Sequence, residues 1–376
     1  MSPVYVLAAG GTGGHLFPAE AVARLLVEHG GAVHLLTDRR ADAFAAAVPG
    51  VTIDRVRAGR LGGGPLHAAY GLAELAVGIV QARRLLRRLA PAAVAGFGGY
   101  PSVPTMLAAA RLDLPTLIHE QNVVLGRANR LLAPRARRIA TGFAATQGLR
   151  DDDRVRAVHT GNPVRPAILA VGATPYMPPL ETIELLVTGG SQGARIFGEI
   201  VPPALARLPA ELRARLRVSQ QARPENKEEV AARYRELGID AEIASFFDDM
   251  PARLRRAHLV LCRAGASTIA ELAAAGRPAI LVPYPHAMDD HQTANAGEFA
   301  NAGGGWVVAQ SVFTPATLAE RLVGVFADPA ALSAAAAASR TFARDDAAEH
   351  LAGLVQSLIH DGGNGSVGGG PLERAA

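Results

Sequence analysis

Two stretches of this 376-residue chain decide its fold: Leu7–Gly14, which reads LAAGGTGG, and Leu186–Gly193, which reads LVTGGSQG. In each stretch an apolar run passes directly into a glycine-rich turn, and a helical pattern follows. A strand, a glycine-rich turn and a helix make up the start of a parallel α/β unit. The repeat therefore predicts two similar α/β domains. The length agrees, because 376 residues are more than one ordinary core holds.

Short apolar runs alternate with longer helical stretches through both halves, which is the pattern of parallel sheets. The predicted strands are Val4–Ala9, Ala32–Leu36, Ala93–Gly96, Thr116–His119, Arg138–Thr141, Ile183–Thr188, Arg217–Ser219, Glu242–Ser245, Leu259–Cys262 and Ala279–Val282. Helices are predicted at Pro18–His29 and Leu66–Leu89. Five prolines within Pro163–Pro179 predict a linker between the halves. The glycine-rich segment 361–376 predicts a disordered tail.

The composition excludes several classes of protein. Hydrophobic residues make up 49% of the chain and charged residues 19%, which rules out a disordered chain. A net charge of +4 is too dilute over this length to indicate a nucleic-acid partner. Cys262 is the single cysteine, which excludes an internal disulfide and a cysteine-based zinc site. Without a signal peptide or an apolar run of about 20 residues, we expect a cytoplasmic protein, soluble or attached to a membrane surface.

Both glycine-rich turns predict contact with phosphate groups, because such turns present backbone N–H groups at the positive end of a helix. A tight turn alone explains one or two glycines, but not four in five residues. A dinucleotide site is the nearest alternative, and Asp38 sits where a ribose-binding acid would. However, Leu16 stands where that fingerprint requires a third glycine or an alanine. Neither turn continues into the Gly-Lys-Ser/Thr of a P-loop.

His15 distinguishes the first turn from the second, which has Ala194 at the matching position. A helix N-terminus favours neutral imidazole, the form that a general base requires. A histidine that caps or packs the helix is the alternative, and position alone does not separate the two. One ionisable side chain on one of two similar turns predicts unequal roles for the halves.

Further polar segments follow other predicted strands. Gly96–Ser102 is a third glycine-rich turn, and His119–Asn122 ends a strand with four polar side chains. Each alone would be an ordinary turn or strand end, but together they fall at one edge of one sheet. We therefore expect them to line the cleft.

In the second half, Arg263–Thr268 leads into the helix that carries Glu271. A carboxylate at this place can accept hydrogen bonds from the vicinal hydroxyls of a ribose, although it can also simply complement the helix dipole. Nearby, a loop holds His286, Asp289, Asp290 and His291. We interpret this loop as a partner for sugar hydroxyls rather than as a metal site, because no second ligand cluster supports a metal.

Seven motifs in order give the chain a resemblance that covers nearly its whole length. They are Gly10–His15, Gly96–Ser102, His119–Asn122, Gly161–Arg165, Gly189–Arg195, Arg263–Glu271 and His291–Asn295. In these motifs the chain resembles the MurG family, the peripheral membrane glycosyltransferases of peptidoglycan synthesis. Members of that family move N-acetylglucosamine (GlcNAc) from UDP-GlcNAc to lipid I, the undecaprenyl-diphosphate-linked muramoyl pentapeptide, and so make lipid II.

The resemblance implies a GT-B fold, in which two Rossmann-like domains with parallel sheets face each other across a cleft. It implies an N-terminal acceptor domain at 1–163, completed by a C-terminal helix at 342–360, and a UDP-GlcNAc-binding domain at 164–341. The reaction would invert the anomeric centre with no metal or other cofactor. The expected partners are UDP-GlcNAc, lipid I and the membrane surface, without nucleic acid. The expected location is the cytoplasmic face of the inner membrane.

The resemblance also assigns site residues. His15 matches the residue proposed as the catalytic base. The substrate-binding positions are Thr12, Gly13, Gly14, Asn122, Arg165, Ser191, Phe247, Ala266, Ser267, Thr268, Ile269, Ala270, Glu271 and Gln292. Ser191 and its loop would hold the UDP diphosphate, Glu271 the ribose and Gln292 the sugar hydroxyls. Phe247 would contact the uracil through its backbone. The chain departs from the family at Ser219–Ala222, where many members read His-Gln-Thr/Ser-Gly, and this predicts a local difference in loop shape.

The predicted helix Leu66–Leu89 carries a feature suited to a membrane surface. The helix has a run of apolar residues followed by four arginines. The apolar residues are Leu72, Leu75, Val77, Ile79 and Val80, and the arginines are Arg83, Arg84, Arg87 and Arg88. Apolar residues beside a basic stripe suit anionic lipids, but an amphipathic helix with solvated arginines fits equally well.

Four functions compete with this interpretation. They are a GT-B transferase with a different lipid acceptor, a UDP-GlcNAc epimerase, a non-catalytic nucleotide-sugar binding module and a dehydrogenase. An assay without acceptor separates the epimerase from a transferase, and nicotinamide binding would identify a dehydrogenase.

Overall fold

The computed structural model describes residues 2–10, 13–38, 48–59, 64–190 and 193–359. The strands in these residues are β1 (Val4–Ala8), β2 (Ala32–Thr37), β3 (Val51–Arg55), β4 (Ala93–Gly96), β5 (Thr116–Glu120), β6 (Arg138–Thr141), β7 (Ala157–His159), β8 (Ile183–Thr188), β9 (Leu216–Gln221), β10 (Asp240–Ala244), β11 (Leu259–Cys262), β12 (Ala279–Leu281) and β13 (Gly305–Val307). The helices are α1 (Gly13–Glu28), α2 (Pro65–Leu89), α3 (Val103–Arg111), α4 (Arg127–Leu132), α5 (Asp151–Arg154), α6 (Pro166–Gly172), α7 (Arg195–Ala206), α8 (Ala210–Ala214), α9 (Lys227–Glu236), α10 (Met250–Arg256), α11 (Ala266–Ala275), α12 (His291–Asn301), α13 (Pro315–Phe326), α14 (Pro329–Phe342) and α15 (Ala347–Ser357).

The strands form two parallel sheets, one in each half of the chain. The first has the order β3-β2-β1-β4-β5-β6-β7, and the second has the order β10-β9-β8-β11-β12-β13. In both sheets the chain order reverses beside the first strand, between β1 and β4 and between β8 and β11. The crevice outside the carboxyl ends of strands at such a reversal is where open α/β sheets bind ligands. Both glycine-rich turns leave their sheets at these two points.

The strands predicted from the sequence are all present, with ends that differ by at most two residues. Three short strands were not predicted: β3, β7 and β13. The first predicted helix begins at Gly13 rather than at Pro18, and Pro18 lies inside it. The proline-rich segment predicted as a linker contains helix α6, whose Ile168 and Val171 are fully buried. The segment nevertheless joins β7 of the first sheet to β8 of the second, between the two halves as predicted. The predicted disordered tail lies outside the described residues.

Each sheet is packed on both faces. In the first domain, one core cluster lies with α1 and includes Leu7, Leu26 and Leu35, and another includes Val6, Leu86 and Ile118. In the second domain the alternate residues of β8 likewise divide between two clusters. The last helix, α15, buries Leu351 and Val355 in the same cluster as α1. The end of the chain therefore packs on the first domain.

Among the described residues, no single helix has both the length and the apolar composition needed to cross a bilayer. The segments Pro315–Phe326 and Pro329–Ser357 pass that test only as a pair, with a bend of 92° between them. Leu318, Leu322 and Leu351 in these segments are fully buried in the protein cores.

Candidate active site

His15 lies in the first turn of α1, at the carboxyl edge of the first sheet. It is half-buried, and its Nδ1 lies 3.2 Å from Gln121 Oε1. Burial lowers the pKa of His15, while the charge of Glu120 acts in the opposite direction. The ring is therefore neutral near pH 7, which is the state that can accept a proton.

The third glycine-rich turn forms the wall beside the His15 ring. Gly98 and Gly99 have φ angles of 81° and 69°, a region that favours glycine. A Cβ atom at Gly99 would lie 3.1 Å from His15 Cδ2, and one at Gly98 would lie 3.4 Å from Nδ1. The two glycines therefore let the backbone approach the imidazole closely.

The polar segment His119–Asn122, at the end of β5, does not line the cleft as a whole. His119, Glu120 and Gln121 are buried, and Asn122 alone is partly exposed. Glu120 Oε1 accepts from the backbone N–H of Asn122, and Oε2 accepts from the N–H of Gly126 and from Asn129 Nδ2. Because both oxygens are occupied, Glu120 shapes the loop rather than serving as a base.

The loop shaped by Glu120 meets the second domain at Asn295 of α12. Asn295 Oδ1 accepts from the Val123 N–H at 2.9 Å, and its Nδ2 donates to Asn122 Oδ1 at 3.0 Å and to the Ala264 carbonyl at 3.2 Å. Asn295 is fully buried. It was noted in the sequence only as the end of a motif, and its bonds across the domains depend on three-dimensional packing.

The second glycine-rich turn begins with Gly189, directly after β8. A Cβ atom at Gly189 would lie 2.2 Å from the Ala194 backbone nitrogen, so only glycine fits there. Gln221 braces the turn: its Oε1 accepts from the Gly189 N–H and from Thr188 Oγ1, and its Nε2 donates to the Ser245 carbonyl. Gln221 belongs to the segment that departs from the family pattern, and the sequence did not predict this contact. Ser191 lies outside the described residues, as does Thr12 of the first turn.

Glu271 lies in α11 and faces Arg165, which precedes α6. Arg165 Nη2 donates to Glu271 Oε1 at 2.9 Å, and the guanidinium carbon lies 5.8 Å from the centre of the Phe17 ring in α1. Burial raises the pKa of Glu271, and Arg165 opposes this shift. The structure thus brings together Arg165 and Glu271, two predicted donor-binding residues, and adds Phe17 from the opposite domain, which the sequence did not indicate.

Gln292 lies beside the strand end of β11. Its Oε1 accepts from the backbone N–H groups of Ala264 and Tyr284 at 3.2 and 3.0 Å. The remaining hydrogen-bonding capacity of this half-buried side chain is the two N–H groups of Nε2, which suit a hydroxyl acceptor.

The other predicted donor positions differ in exposure. Ser267, Thr268 and Ala270 are half-buried, Ala266 is buried, and Ile269 is fully buried in the core. Phe247 is buried beneath the Arg253 guanidinium, whose carbon lies 3.8 Å from the ring centre. For Ile269 and Phe247, a ligand could therefore reach only the backbone. Gly13 and Gly14 are half-buried at the start of α1.

The loop with four titratable residues before α12 is engaged in other contacts. Asp289 forms an ion pair with Arg127 at 3.1 Å, Asp290 accepts from Thr293 Oγ1, and His291 Nδ1 lies 2.7 Å from the Met288 carbonyl. The Asp289–Arg127 pair is a further contact between the domains.

Two family models match the chain. The glycosyltransferase family 28 N-terminal domain matches residues 5–141, and the C-terminal domain of the same family matches residues 184–351. The chain belongs to glycosyltransferase family 28. As a member of this family it is an enzyme of the glycosyltransferase class, and the two matches fall one on each sheet.

Known proteins are similar along most of the chain. The UDP-N-acetylglucosamine–N-acetylmuramyl-(pentapeptide) pyrophosphoryl-undecaprenol N-acetylglucosamine transferase of Rhodospirillum centenum is 57% identical, over 94% of each chain. The crystal structure of Acinetobacter baumannii MurG has a TM-score of 0.76 at 32% identity, covering 94% of this chain and 99% of that one. The expected GT-B fold is confirmed.

Proteins of much lower sequence identity have a similar fold. A putative UDP-N-acetylglucosamine 2-epimerase from Listeria monocytogenes has a TM-score of 0.68 at 14% identity, covering 96% of this chain and 98% of that one. At that identity the similarity is one of fold alone.

Proposed function

We propose that this family 28 enzyme transfers GlcNAc from UDP-GlcNAc to the muramoyl sugar of lipid I, with inversion, and so makes lipid II. The observation that carries the proposal is the 57% identity, over 94% of each chain, to a relative named for this transfer. The arrangement of the site supports it. Each sheet is followed by one glycine-rich turn, which in this proposal binds one of the two diphosphates, and the His15 imidazole lies beside the first turn.

The donor is held by the second domain in this proposal. The backbone N–H groups around Gly189, together with Ser191, bind the diphosphate, and Glu271 accepts from the ribose hydroxyls. The Nε2 group of Gln292 donates to the sugar. Backbone amides aimed at the diphosphate oppose the negative charge that grows there as UDP leaves.

The acceptor is activated from the first domain. The acceptor oxygen bonds to the anomeric carbon on the face opposite UDP, and the bond from that carbon to the UDP oxygen breaks. His15 takes the proton of the attacking hydroxyl. Because this proton goes to the imidazole and not to the departing oxygen, UDP leaves with its negative charge. A single displacement of this kind inverts the anomeric centre.

In this proposal each of the two sheets belongs to a domain that binds one of the two substrates. We infer an acceptor domain at 1–163, completed by the helix in 342–360, and a donor domain at 164–341. The packing of α15 against α1 supports the return of the chain to the first domain.

The direct test is transfer of radiolabel from UDP-GlcNAc to a lipid I analogue, with and without a chelator. We expect labelled lipid in both arms. Release of free UDP or formation of an isomerised UDP-sugar without acceptor would instead favour the epimerase. Labelling of a different polyprenyl acceptor in preference to lipid I would favour the other transferase.

We expect Glu271→Gln to raise the KM for UDP-GlcNAc about five- to tenfold and to change kcat less. A neutral amide accepts weaker hydrogen bonds from hydroxyls than a carboxylate does. Steady-state kinetics with the acceptor saturating measure the effect. Glu229→Gln, which alters an exposed ion pair on α9, is the matched control and should leave both constants unchanged. An unchanged donor KM in Glu271→Gln would contradict the ribose role.

We also propose that the enzyme is peripheral on the cytoplasmic face of the inner membrane, attached through α2. Leu72, Val77 and Val80 are exposed, whereas Ile79 packs towards the core. Arg83, Arg84, Arg87 and Arg88 are exposed on the same helix. Exposed apolar and basic residues together suit a surface of anionic lipid.

Reversing three of these charges should weaken membrane binding. We expect the triple variant Arg84→Glu, Arg87→Glu, Arg88→Glu to bind anionic vesicles at least about tenfold more weakly, because each arginine near the surface contributes on the order of 1 kcal/mol. Vesicle flotation measures the bound fraction. The control reverses three exposed arginines of the second domain, Arg207, Arg235 and Arg256, and should bind like the native protein. Equal flotation of both triple variants would remove α2 as the attachment site.

A further inference from the structure

A buried amide lies between two histidine rings beneath the cleft. Gln121 Nε2 donates to the Phe97 carbonyl at 2.9 Å and lies 3.1 Å from His119 Nδ1. On the other side, Gln121 Oε1 lies 3.2 Å from His15 Nδ1. Gln121 and His119 are both buried, so water does not replace these contacts.

The partners of Gln121 fix which way the amide points. A backbone carbonyl can only accept, so the nitrogen of the amide must face Phe97 and its oxygen must face His15. An amide oxygen is also only an acceptor, and His15 Nδ1 must therefore carry a proton to bond with it. In a neutral imidazole one nitrogen holds the proton and the other holds a free lone pair. The lone pair of neutral His15 is then on Nε2.

His119 extends the same chain of bonds. Its Nε2 lies 3.3 Å from the Gly161 carbonyl and so donates to it, which leaves Nδ1 to accept from Gln121. Burial lowers the pKa of His119 to about 4, so that ring stays neutral near pH 7. His15 thus donates to Gln121, Gln121 donates to His119, and His119 donates to the Gly161 carbonyl. Hydrogen bonds aligned in one direction in this way polarise one another.

We propose that Gln121 is a positioning residue that holds His15 in its Nδ1–H form, so that Nε2 is the nitrogen that receives the proton of the acceptor hydroxyl. The proposal rests on the proposed role of His15 as the base. Gln121 itself touches no substrate in this scheme. It acts because a free imidazole divides its proton between the two nitrogens, and a base held in the wrong form has no lone pair where the hydroxyl approaches.

The test compares two substitutions of Gln121 in the full-length chain. Gln121→Met keeps the size of the side chain but removes the acceptor. Gln121→Glu retains an oxygen that can accept from Nδ1, and its buried carboxyl, when protonated, keeps an O–H donor towards the Phe97 carbonyl and His119. Nitrogen-15 NMR of histidine-labelled protein reports which ring nitrogen is protonated, and His15→Asn identifies the His15 signals. We expect Nδ1–H in the native protein and in Gln121→Glu, and a weaker preference in Gln121→Met, in which the Phe97 carbonyl is the acceptor that remains beside the ring.

Kinetics provide the second measurement. Gln121→Met should lower kcat about 10- to 100-fold with the KM for UDP-GlcNAc within about twofold, and Gln121→Glu should recover a large part of kcat. The matched control is Gln356→Met, which breaks another Gln–His contact, to His29 at the far end of α1, and should change neither measurement. Thermal unfolding of each variant verifies that the fold is retained.

Three results would overturn the proposal: a native His15 protonated on Nε2, an unchanged tautomer in Gln121→Met, or a changed tautomer with native kcat. These outcomes differ from a failure of the proposed base. In that case His15→Ala would keep its turnover, whatever the NMR of His15 showed.

Discussion

We expect His15→Ala to lose about 10²- to 10⁴-fold in kcat, with the KM for UDP-GlcNAc within about twofold of the native value. The imidazole is the neutral basic group beside the first glycine-rich turn, and its removal leaves the acceptor hydroxyl to lose its proton to water. Donor binding is assigned to the other domain, so ground-state affinity for UDP-GlcNAc should remain. The radiolabel assay with both substrates saturating measures kcat.

The pH dependence gives a separate check on His15. Neutral imidazole is the active form, and burial places the pKa of His15 below its ordinary value of 6.5. We therefore expect kcat/KM to hold as the pH falls to 6.5 and to decline only as the pH passes the lowered pKa. His29→Ala, just beyond the end of α1, is the control and should keep the native profile. Near-native turnover in His15→Ala would exclude it as the base.

The largest effect on stability is expected at Arg277. This side chain is 2% exposed, and it donates to the carbonyls of Leu254, Arg255, Ala275 and Gly276 at 2.7 to 3.1 Å. These carbonyls end the helices α10 and α11, where unpaired oxygens and the helix dipoles make the site negative. The guanidinium therefore satisfies two helix ends at once.

We expect Arg277→Met to lower the free energy of unfolding by at least about 3 kcal/mol, because each buried carbonyl left without a donor costs about 1–3 kcal/mol. Urea unfolding followed by circular dichroism measures the change, with attention to separate transitions of the two domains. Arg235→Met removes an exposed arginine of α9 and should shift the midpoint little. Equal midpoints for the two variants would show that the Arg277 bonds contribute little to stability.

The sequence predicted the fold well where strands are apolar and central, as with β1, β4, β8 and β11. It missed β3 and β7 because their side chains are half-exposed or exposed and no continuous apolar run marks them. The start of α1 was missed because Pro18 resembled a first helical residue, whereas it lies inside the helix, beyond its first turn.

The site was predicted less completely than the fold. Glycine-rich turns and His15 are visible as local patterns, and Glu271 lies in the helix that follows the Arg263–Thr268 segment. The brace from Gln221 and the contact of Arg165 with Phe17 join residues far apart in the chain, and the burial of Glu120 depends on the folding of the loop that follows it. Such contacts depend on packing between elements, and no spacing in the sequence encodes them.

The amide of Asn295 has a consequence for how the halves move. One buried side chain is bonded to the loop at Val123 and Asn122 and also to Ala264 of its own domain. A swing of one half against the other that preserves these bonds must turn about an axis passing near Asn295. Displacements would then be smallest there and would grow with distance from it, so the rim farthest from this pivot would travel most.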